Sequence, residues 1–431
     1  MTESFPHLMP GRLGRAAIAL LAGVLALTLL APAADAAGKG KGKKKGQRAT
    51  VMTRNLYLGA DLGPALAAPD AAGFIAANGG ILRQVDRTNF PVRAKALAAE
   101  IKQRDPDLVG LQEVALWRTA APSFSPVVSG PAATTVRYDF LQLLLDELNS
   151  GKCAKGKKGK GKGKKASSAK SKSSCDRYRV AVVKNEFDFE APADLDNDPS
   201  TGAGTFGGEI NGRLTMRDAI LVRGGSGVKA SKPISGTFPT LLRVTVSGIQ
   251  IDVTRGWTAL AARVRGSKPF RFINVHHEAF DSAASSNANQ GTAVGQGQVR
   301  EAQAKSLVAT GGPADTKLPV ILVGDLNSDD DTVGNDGDVL AYNALVAAGF
   351  RPVDTSNPLS CCLNDPNLVA GSLADFDHHI DHVMTDSKQV RFRRGFVTGR
   401  APVNGLWPSD HNGVTSELTV PRKGKPKKDK K

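Results

Sequence analysis

The chain has 431 residues, is 41% hydrophobic and 23% charged, and carries a formal net charge of +16. That charge is not a property of the whole surface: residues 39–48, 152–172 and 422–431 hold +6, +10 and +6, leaving the remaining residues at −6 together. A uniformly basic fold is excluded. So is a membrane span beyond the N-terminal region, because no later stretch has the ~20 consecutive apolar residues that a bilayer crossing needs.

The first 36 residues read as an export signal. Arg12 and Arg15 precede an apolar run from Ala16 to Leu30, and Ala34-Asp35-Ala36 offers the small residues that a signal peptidase accepts. The mature protein is therefore expected to be secreted, extracellular or associated with the cell envelope. Four cysteines suit an oxidising compartment. Cys153 and Cys175 bracket a lysine run, where a bridge would pin the base of a loop. Cys361 and Cys362 are adjacent, and other pairings stay open.

Gly-Lys and Ser-Lys repeats fill residues 37–48, 152–174 and 421–431. They lack the apolar side chains that offset ordering entropy and are expected to be disordered. They are either solvated tails or electrostatic tethers to a polyanion, nucleic acid or an anionic envelope polymer.

Between these runs, residues 49–420 make a single expected domain, large but within reach of a layered α/β fold. Short runs rich in valine and isoleucine predict strands at Ala49–Met52, Leu108–Leu111, Arg179–Val183, Ala219–Val222, Leu241–Val246, Phe270–Val275, Val320–Val323 and Asp381–Met384. A final apolar strand is expected after Ser409-Asp410-His411. Helical spacing predicts helices around Pro91–Arg104, Phe140–Leu148, Gln298–Ala309 and Val339–Ala348. Residues 184–213 and 279–297, polar and rich in Gly, Asn and Asp, read as surface loops. The order of elements predicts an α+β sandwich of four layers, two mixed β-sheets packed face to face with helices outside.

Polar motifs stand where apolar runs end. Thr53-Arg54-Asn55 and Leu111-Gln112-Glu113 come first, and a carboxylate such as Glu113 at the end of a buried strand is costly unless paired or metal-bound. Oxygen ligands of this kind suit Mg²⁺, Mn²⁺ or Ca²⁺. Asn274 and His276 close the Phe270–Val275 strand on one face, while His277 points to the other. Val320-Ile321-Leu322-Val323-Gly324-Asp325-Leu326-Asn327 delivers an acid and an amide two residues apart. Asp381 and the Ser409-Asp410-His411 turn supply a carboxylate and an imidazole. A carboxylate on one imidazole nitrogen fixes the tautomer and leaves the other nitrogen to work on substrate. Each tripeptide alone also fits an ordinary capped turn; the ordered set points to metal-assisted attack on a phosphate ester.

In this order the motifs resemble those of the endonuclease/exonuclease/phosphatase family, with its deoxyribonuclease I-like fold. The resemblance runs over about residues 49–420 with the lysine insert outside it. It implies that Glu113 is the main ligand of a divalent ion, Mg²⁺ before Mn²⁺ or Ca²⁺, assisted by Asn55 and Asp410. Asp325 and Asn327 would position water and phosphate, and His276 and His411 would stabilise charge and move protons, with Asp381 orienting His411. Asn274 and, in a strand resembling the family's central one, Arg217 would face the substrate. His382 stands where the family usually has Tyr, and Asp61 is displaced from the acid that often follows the early Asn.

The implied function is secreted hydrolysis of a phosphodiester, with nucleic acid favoured by the basic runs. The same site would also suit a phospholipid head group, sphingomyelin among them, or a sugar or inositol phosphate. A dense cluster, Asp375, Asp377, His378, His379, Asp381 and His382, suggests a binuclear metallophosphoesterase, but the Asp-x-His and Gly-Asn-His motifs of that class are missing. A non-catalytic secreted polyanion-binding protein is the reading of another class; it would ordinarily have lost a catalytic side chain, and none is lost here.

Overall fold

The computed structural model describes residues 46–123, 133–151, 177–202, 207–225, 227–246, 248–280, 297–330, 339–355 and 358–423. Cys153, Cys175, the lysine insert, the N-terminal segment read as an export signal and most of the C-terminal tail lie outside the described residues.

Two β-sheets dominate. In the first, the order is Arg391–Thr398, Gly413–Val420, Gln47–Asn55, Leu108–Gln112, Ile210–Arg223, Leu116–Ala120 and Thr135–Asp139, with Tyr178–Ala193 also pairing on Ile210–Arg223. In the second, it is Arg351–Pro352, Asp381–Thr385, Val320–Asp325, Phe270–His276, Gly256–Arg263 and Lys229–Thr237. Both sheets are mixed: Gln47–Asn55 runs parallel to Leu108–Gln112, and Phe270–His276 parallel to Val320–Asp325, while the other pairings are antiparallel.

The period-2 alternation of a strand explains the layering. Val51, Leu108 and Ile220 of the first sheet pack against Phe272, Ile321, Val323 and Val383 of the second, forming the core between the sheets. The neighbouring residues Met52, Val109 and Leu221 turn outward and meet the helices Ala71–Arg87, Phe90–Arg104 and Phe140–Asn149 through Leu82, Val85, Phe90, Leu97 and Phe140. On the far side Ile273, Leu322 and Met384 cover the helices Gln298–Val308 and Leu340–Ala347 through Ala304, Leu307, Ala341 and Leu345. Strands apolar on both faces are what sheets covered on both sides require. The result is the expected four-layer α+β sandwich.

Several boundaries differ from expectation. Residues 184–193 and 210–213 are strand, not surface loop, because the polar residues there pair across the strands: Arg213 Nε donates to Asp188 Oδ1 at 2.7 Å. Residues 281–296 of the other expected loop lie outside the described residues. The helix Ala71–Arg87 is additional, capped by the Asp70 carboxylate accepting from Gly73 N–H at 2.8 Å. The strand expected at Leu241–Val246 forms over Leu242–Val246, paired with an additional strand, Ile249–Val253, in a hairpin outside both main sheets. The Sγ atoms of the adjacent Cys361 and Cys362 are within bonding reach of each other. Among the described residues, no helix is long and apolar enough to cross a membrane.

Candidate active site

Strand register sets the site. Asp325 pairs with His276 on one side and with Asp381 on the other, so three adjacent strands of the second sheet present an imidazole and two carboxylates in one row. In the first sheet Asn55 pairs with Gln112, which puts Glu113 one residue past the same edge. The two edges meet through the Asn55 amide, whose Nδ2 lies 3.2 Å from Glu113 Oε1 and 3.0 Å from Asp325 Oδ2.

Around that bridge the titratable groups converge. Asp325 Oδ2 is 3.8 Å from both His276 Nε2 and His411 Nε2. His411 Nδ1 lies 2.7 Å from Asp381 Oδ2, so the carboxylate orients the ring and fixes which nitrogen faces Asp325. Burial opposes a charge on His411, but Asp381, Asp410 and Asp325 outweigh it and raise its pKa to about 10. His276 is raised too: burial and Arg255 disfavour its charge, while Asp218 and Asp325 favour it more. Burial, then repulsion from Asp381, raises the Asp325 pKa. His277, pointing to the opposite face, is pushed down to about 3, first by burial and then by His276.

A cluster of this charge is held by backbone and by buried arginines, of which only Arg54 stands in a motif. Glu113 and Asn327 both adopt left-handed backbone, with φ of 55° and 47°, a conformation that strains residues other than Gly and Asn. Leu58 N–H donates to Glu113 Oε2 at 2.7 Å, and Asn327 N–H donates to Asp325 Oδ1 at 2.9 Å, so the ligand geometry over-determines both. Arg93 donates to the carbonyls of Leu56 at 2.6 Å and Pro408 at 3.1 Å, tying the Asn55 loop to the Asp410 turn. Arg54 donates to the His411 carbonyl and pairs with Glu100. Arg255 lies 3.3 Å from His276 Nδ1 and from Glu278 Oε2. A buried arginine beside a motif is a signal that sequence offers only after its partners are known.

Three expected residues fit their surroundings differently. Asn274 is fully buried between the sheets: its Oδ1 accepts from Gln112 Nε2 at 2.5 Å and its Nδ2 donates to the Leu111 carbonyl at 3.1 Å. Bonded at both ends, the amide clamps the two sheets together. Arg217 is likewise engaged, donating to the Val114 carbonyl at 2.9 Å and to Asp139 Oδ1 at 2.5 Å, and so fixes the turn that carries Glu113. Asn55 presents its amide nitrogen to Glu113, while its Oδ1 accepts from Tyr57 N–H at 2.8 Å, so here it bridges two carboxylates instead of offering an oxygen to an ion. Asn327 lies beside Asp325 with Nδ2 donating to the His277 carbonyl at 3.1 Å.

The remaining donor set fits a hard divalent cation. Burial raises Asp410 to about 6; His411 opposes that rise, while the charge of nearby Glu113 adds to it. Two carboxylates repelling each other at the meeting point of two sheets are relieved by a cation between them, and oxygen donors suit Mg²⁺, Mn²⁺ or Ca²⁺. Glu113 and Asp410 would hold it, with the Asn55 bridge steadying Glu113.

The outer margin of the site carries its own pH signature. Glu186 is buried beside Lys184 Nζ at 2.9 Å, and burial, then Asp218, pushes its pKa up to about 8. A carboxyl with a folded pKa above its unfolded value of ~4.3 binds its proton more tightly when folded, so stability falls as pH rises from ~4.3 toward 8. Thermal unfolding should give a Tm that declines across that window, and Glu186→Gln should flatten the decline. An unchanged slope in Glu186→Gln would assign the decline to other groups.

Solved structures resemble this chain at low identity. An endonuclease/exonuclease/phosphatase family protein from Bacteroides thetaiotaomicron is 15% identical with a TM-score of 0.44, over 87% of this chain and 98% of that one. A mannosyl-6-phosphatase from Bacteroides thetaiotaomicron VPI-5482 is 15% identical with a TM-score of 0.43, over 86% and 99%. The catalytic domain of human Nocturnin is 14% identical with a TM-score of 0.41, over 86% and 93%. At these values they carry no weight for substrate. No curated protein matches the sequence. The model of the Endonuclease/Exonuclease/phosphatase family matches residues 77–411, a span holding every expected site residue except Asn55. With a match over most of its length, this chain belongs to that family, whose members are phosphoric ester hydrolases that generally use divalent metals.

Proposed function

We propose that this protein is a secreted, divalent-metal-dependent phosphodiesterase that cleaves nucleic acid. The observation that carries the reading is the Asn55 amide bridging Glu113 and Asp325, with two imidazole nitrogens 3.8 Å from the same Asp325 oxygen. Acid, base and cation-binding groups thus face one point, as hydrolysis of a stable ester requires.

When bound at Glu113 and Asp410, a divalent ion such as Mg²⁺ supplies a Lewis acid that neutralises charge on the phosphate. Asp325 orients the attacking water and accepts its proton, while Asn327, adjacent to it, steadies a phosphate oxygen. His411, held by Asp381 and positively charged, stabilises the developing oxyanion and donates a proton to the departing alkoxide. His276, flanked by Asp218 and Arg255, adds a second positive group on the other side of Asp325. The lysine-rich runs at 39–48, 152–172 and 422–431 support a polyanionic substrate over a small phosphate ester.

The test is a panel of DNA, RNA, sphingomyelin, inositol phosphates and bis-p-nitrophenyl phosphate with Mg²⁺. Cleavage of nucleic acid that EDTA abolishes and Mg²⁺ restores is the expected result; turnover confined to the inositol phosphates would overturn the substrate assignment. Deleting residues 154–172 should flatten the dependence of DNA binding on log salt concentration while sparing cleavage of bis-p-nitrophenyl phosphate. If the salt slope stays as steep, the insert is not a tether.

A second reading, phospholipid head-group hydrolysis, is favoured by an apolar cavity lined by Leu62, Phe74, Trp117, Phe187, Phe189 and Val253. Trp117 Nε1 donates to the Leu58 carbonyl, and Leu58 N–H donates to Glu113, so its wall is one residue from the proposed ion ligand. Sphingomyelin turnover that falls with Phe187→Ala, DNA cleavage being absent, would select this reading.

A further inference from the structure

The strand Asp381–Thr385 has two faces, and only one belongs to the site above. Asp381 turns inward to His411, so His382 turns outward. There it meets His379 and Asp354, all three buried, and one ligating atom from each lies within 4.8 Å of the others. The two rings are 4.2 Å apart between centroids.

Each of the three is oriented by a partner that leaves a donor atom directed at the others. His382 Nε2 lies 2.9 Å from the Ser328 carbonyl oxygen, so Nε2 carries the proton and Nδ1 keeps its lone pair. That Nδ1 is buried and has no hydrogen-bond partner among the described residues. Burial, with a smaller push from His379, holds the His382 pKa down at about 4, which keeps the lone pair available at neutral pH. His379 lies between two carboxylates, with Nδ1 3.0 Å from Asp330 Oδ2 and Nε2 3.7 Å from Asp354 Oδ2. Asp354 Oδ2 in turn accepts from Val383 N–H at 2.9 Å.

We propose that Asp354, His379 and His382 form a binding site for a divalent transition-metal ion of the zinc class. Two imidazoles and one carboxylate are the donors that such an ion prefers, whereas Mg²⁺ and Ca²⁺ prefer oxygen alone. Metal–ligand distances of about 2.0–2.1 Å put neighbouring tetrahedral ligands roughly 3.4 Å apart, close to the His379–Asp354 spacing. Asp330 behind His379 and the Ser328 carbonyl behind His382 are the outer partners that orient ligating histidines. This ion would sit apart from Glu113 and Asp410, across the strand from the phosphate-facing site. Its role is to fix the end of the strand from which Asp381 reaches His411.

The alternative is a protonated His379 acting as the cation itself between Asp330 and Asp354, which together raise its pKa to about 9 against the opposing effect of burial. The experiment strips the full-length protein of metal, then titrates Zn²⁺ by calorimetry and Co²⁺ by visible absorption. Glu113→Gln, which removes the proposed ligand of the other site, should retain one equivalent of Zn²⁺ and the d–d bands of low-symmetry Co²⁺. In the Glu113→Gln background, His382→Gln should lose both, and Asp354→Asn should weaken Zn²⁺ at least tenfold, with circular dichroism reporting whether each variant is folded. Zn²⁺ should also raise the Tm of Glu113→Gln. A Glu113→Gln protein that takes up no Zn²⁺ overturns the proposal in favour of the protonated histidine. So does a folded double variant, Glu113→Gln with His382→Gln, that keeps the full equivalent. The outcome is separable from the hydrolase reading, because no readout here depends on turnover.

Discussion

Asp325→Asn should lower kcat on bis-p-nitrophenyl phosphate by about 10²–10⁴-fold while leaving Tm unchanged or raised. The carboxylate lies within reach of both imidazoles, so its loss removes the acceptor for the water proton and leaves His276 and His411 without the anion between them. The stability half has the opposite sign from most core substitutions. Burial and repulsion from Asp381 raise the Asp325 pKa. An acid whose folded pKa exceeds its unfolded value disfavours the fold at pH 7, and the neutral isostere removes that penalty. Asn55 Nδ2 donates to Oδ2 and Asn327 N–H to Oδ1, so the single amide oxygen keeps one of these two hydrogen bonds and the loss of the other offsets part of that gain. Steady-state kinetics and thermal unfolding without added metal check both halves. Full activity would remove Asp325 from the chemistry, and a sharp drop in Tm would recast it as a structural group.

Gly324→Ala should be strongly damaging despite its small size. A Cβ built there would lie 2.1 Å from the Val275 carbonyl oxygen and 2.7 Å from Val275 Cγ1. A flexible side chain could move aside, but the carbonyl belongs to the parallel partner strand and cannot retreat without breaking the pairing of Val275 with Gly324. Overpacking of this kind costs about 3 kcal/mol, which lowers Tm by roughly 4 °C in a domain of this size. Asp325 comes directly after it, so a shift of even ~1 Å in the strand should reduce turnover by about 10²-fold. Gly80→Ala is the control. Within the helix Ala71–Arg87 its Cβ would meet only Arg83 Nη2 at 3.7 Å, and the gain in helix propensity should add about 0.5–1 kcal/mol. A Gly324→Ala protein as stable as Gly80→Ala would mean that the strands can slide.

The motifs were legible because each sits at the end of a buried strand, where polar residues are rare without a reason. Runs such as Val320–Val323 name the strands, and the polar residues at their ends, Asp325 and Asn327 in this case, name the chemistry. The helix Ala71–Arg87 was not legible, since Gly73, Gly79 and Gly80 weaken its local signal. Its reason is tertiary: a Cβ on Gly79 would lie 1.4 Å from the Asp194 carbonyl oxygen, so the helix needs glycine to dock there. Strand Tyr178–Ala193 was hidden in part by its own acids, which read as loop until Arg213 and Lys184 are seen to neutralise them.

The sequence by itself determined the four-layer plan and the short list of side chains able to do phosphate chemistry, because hydrophobic period and residue type are local properties. Only the tertiary structure decided which of them act together. Asn274 and Arg217 stand out as polar residues in a one-dimensional chain, and only the packing shows one clamping the sheets and the other bracing the turn that carries Glu113. Asp381 and His382 are neighbours whose side chains leave opposite faces of one strand, toward different clusters. Distances between segments hundreds of residues apart are set by register and packing, and no short window of sequence contains them.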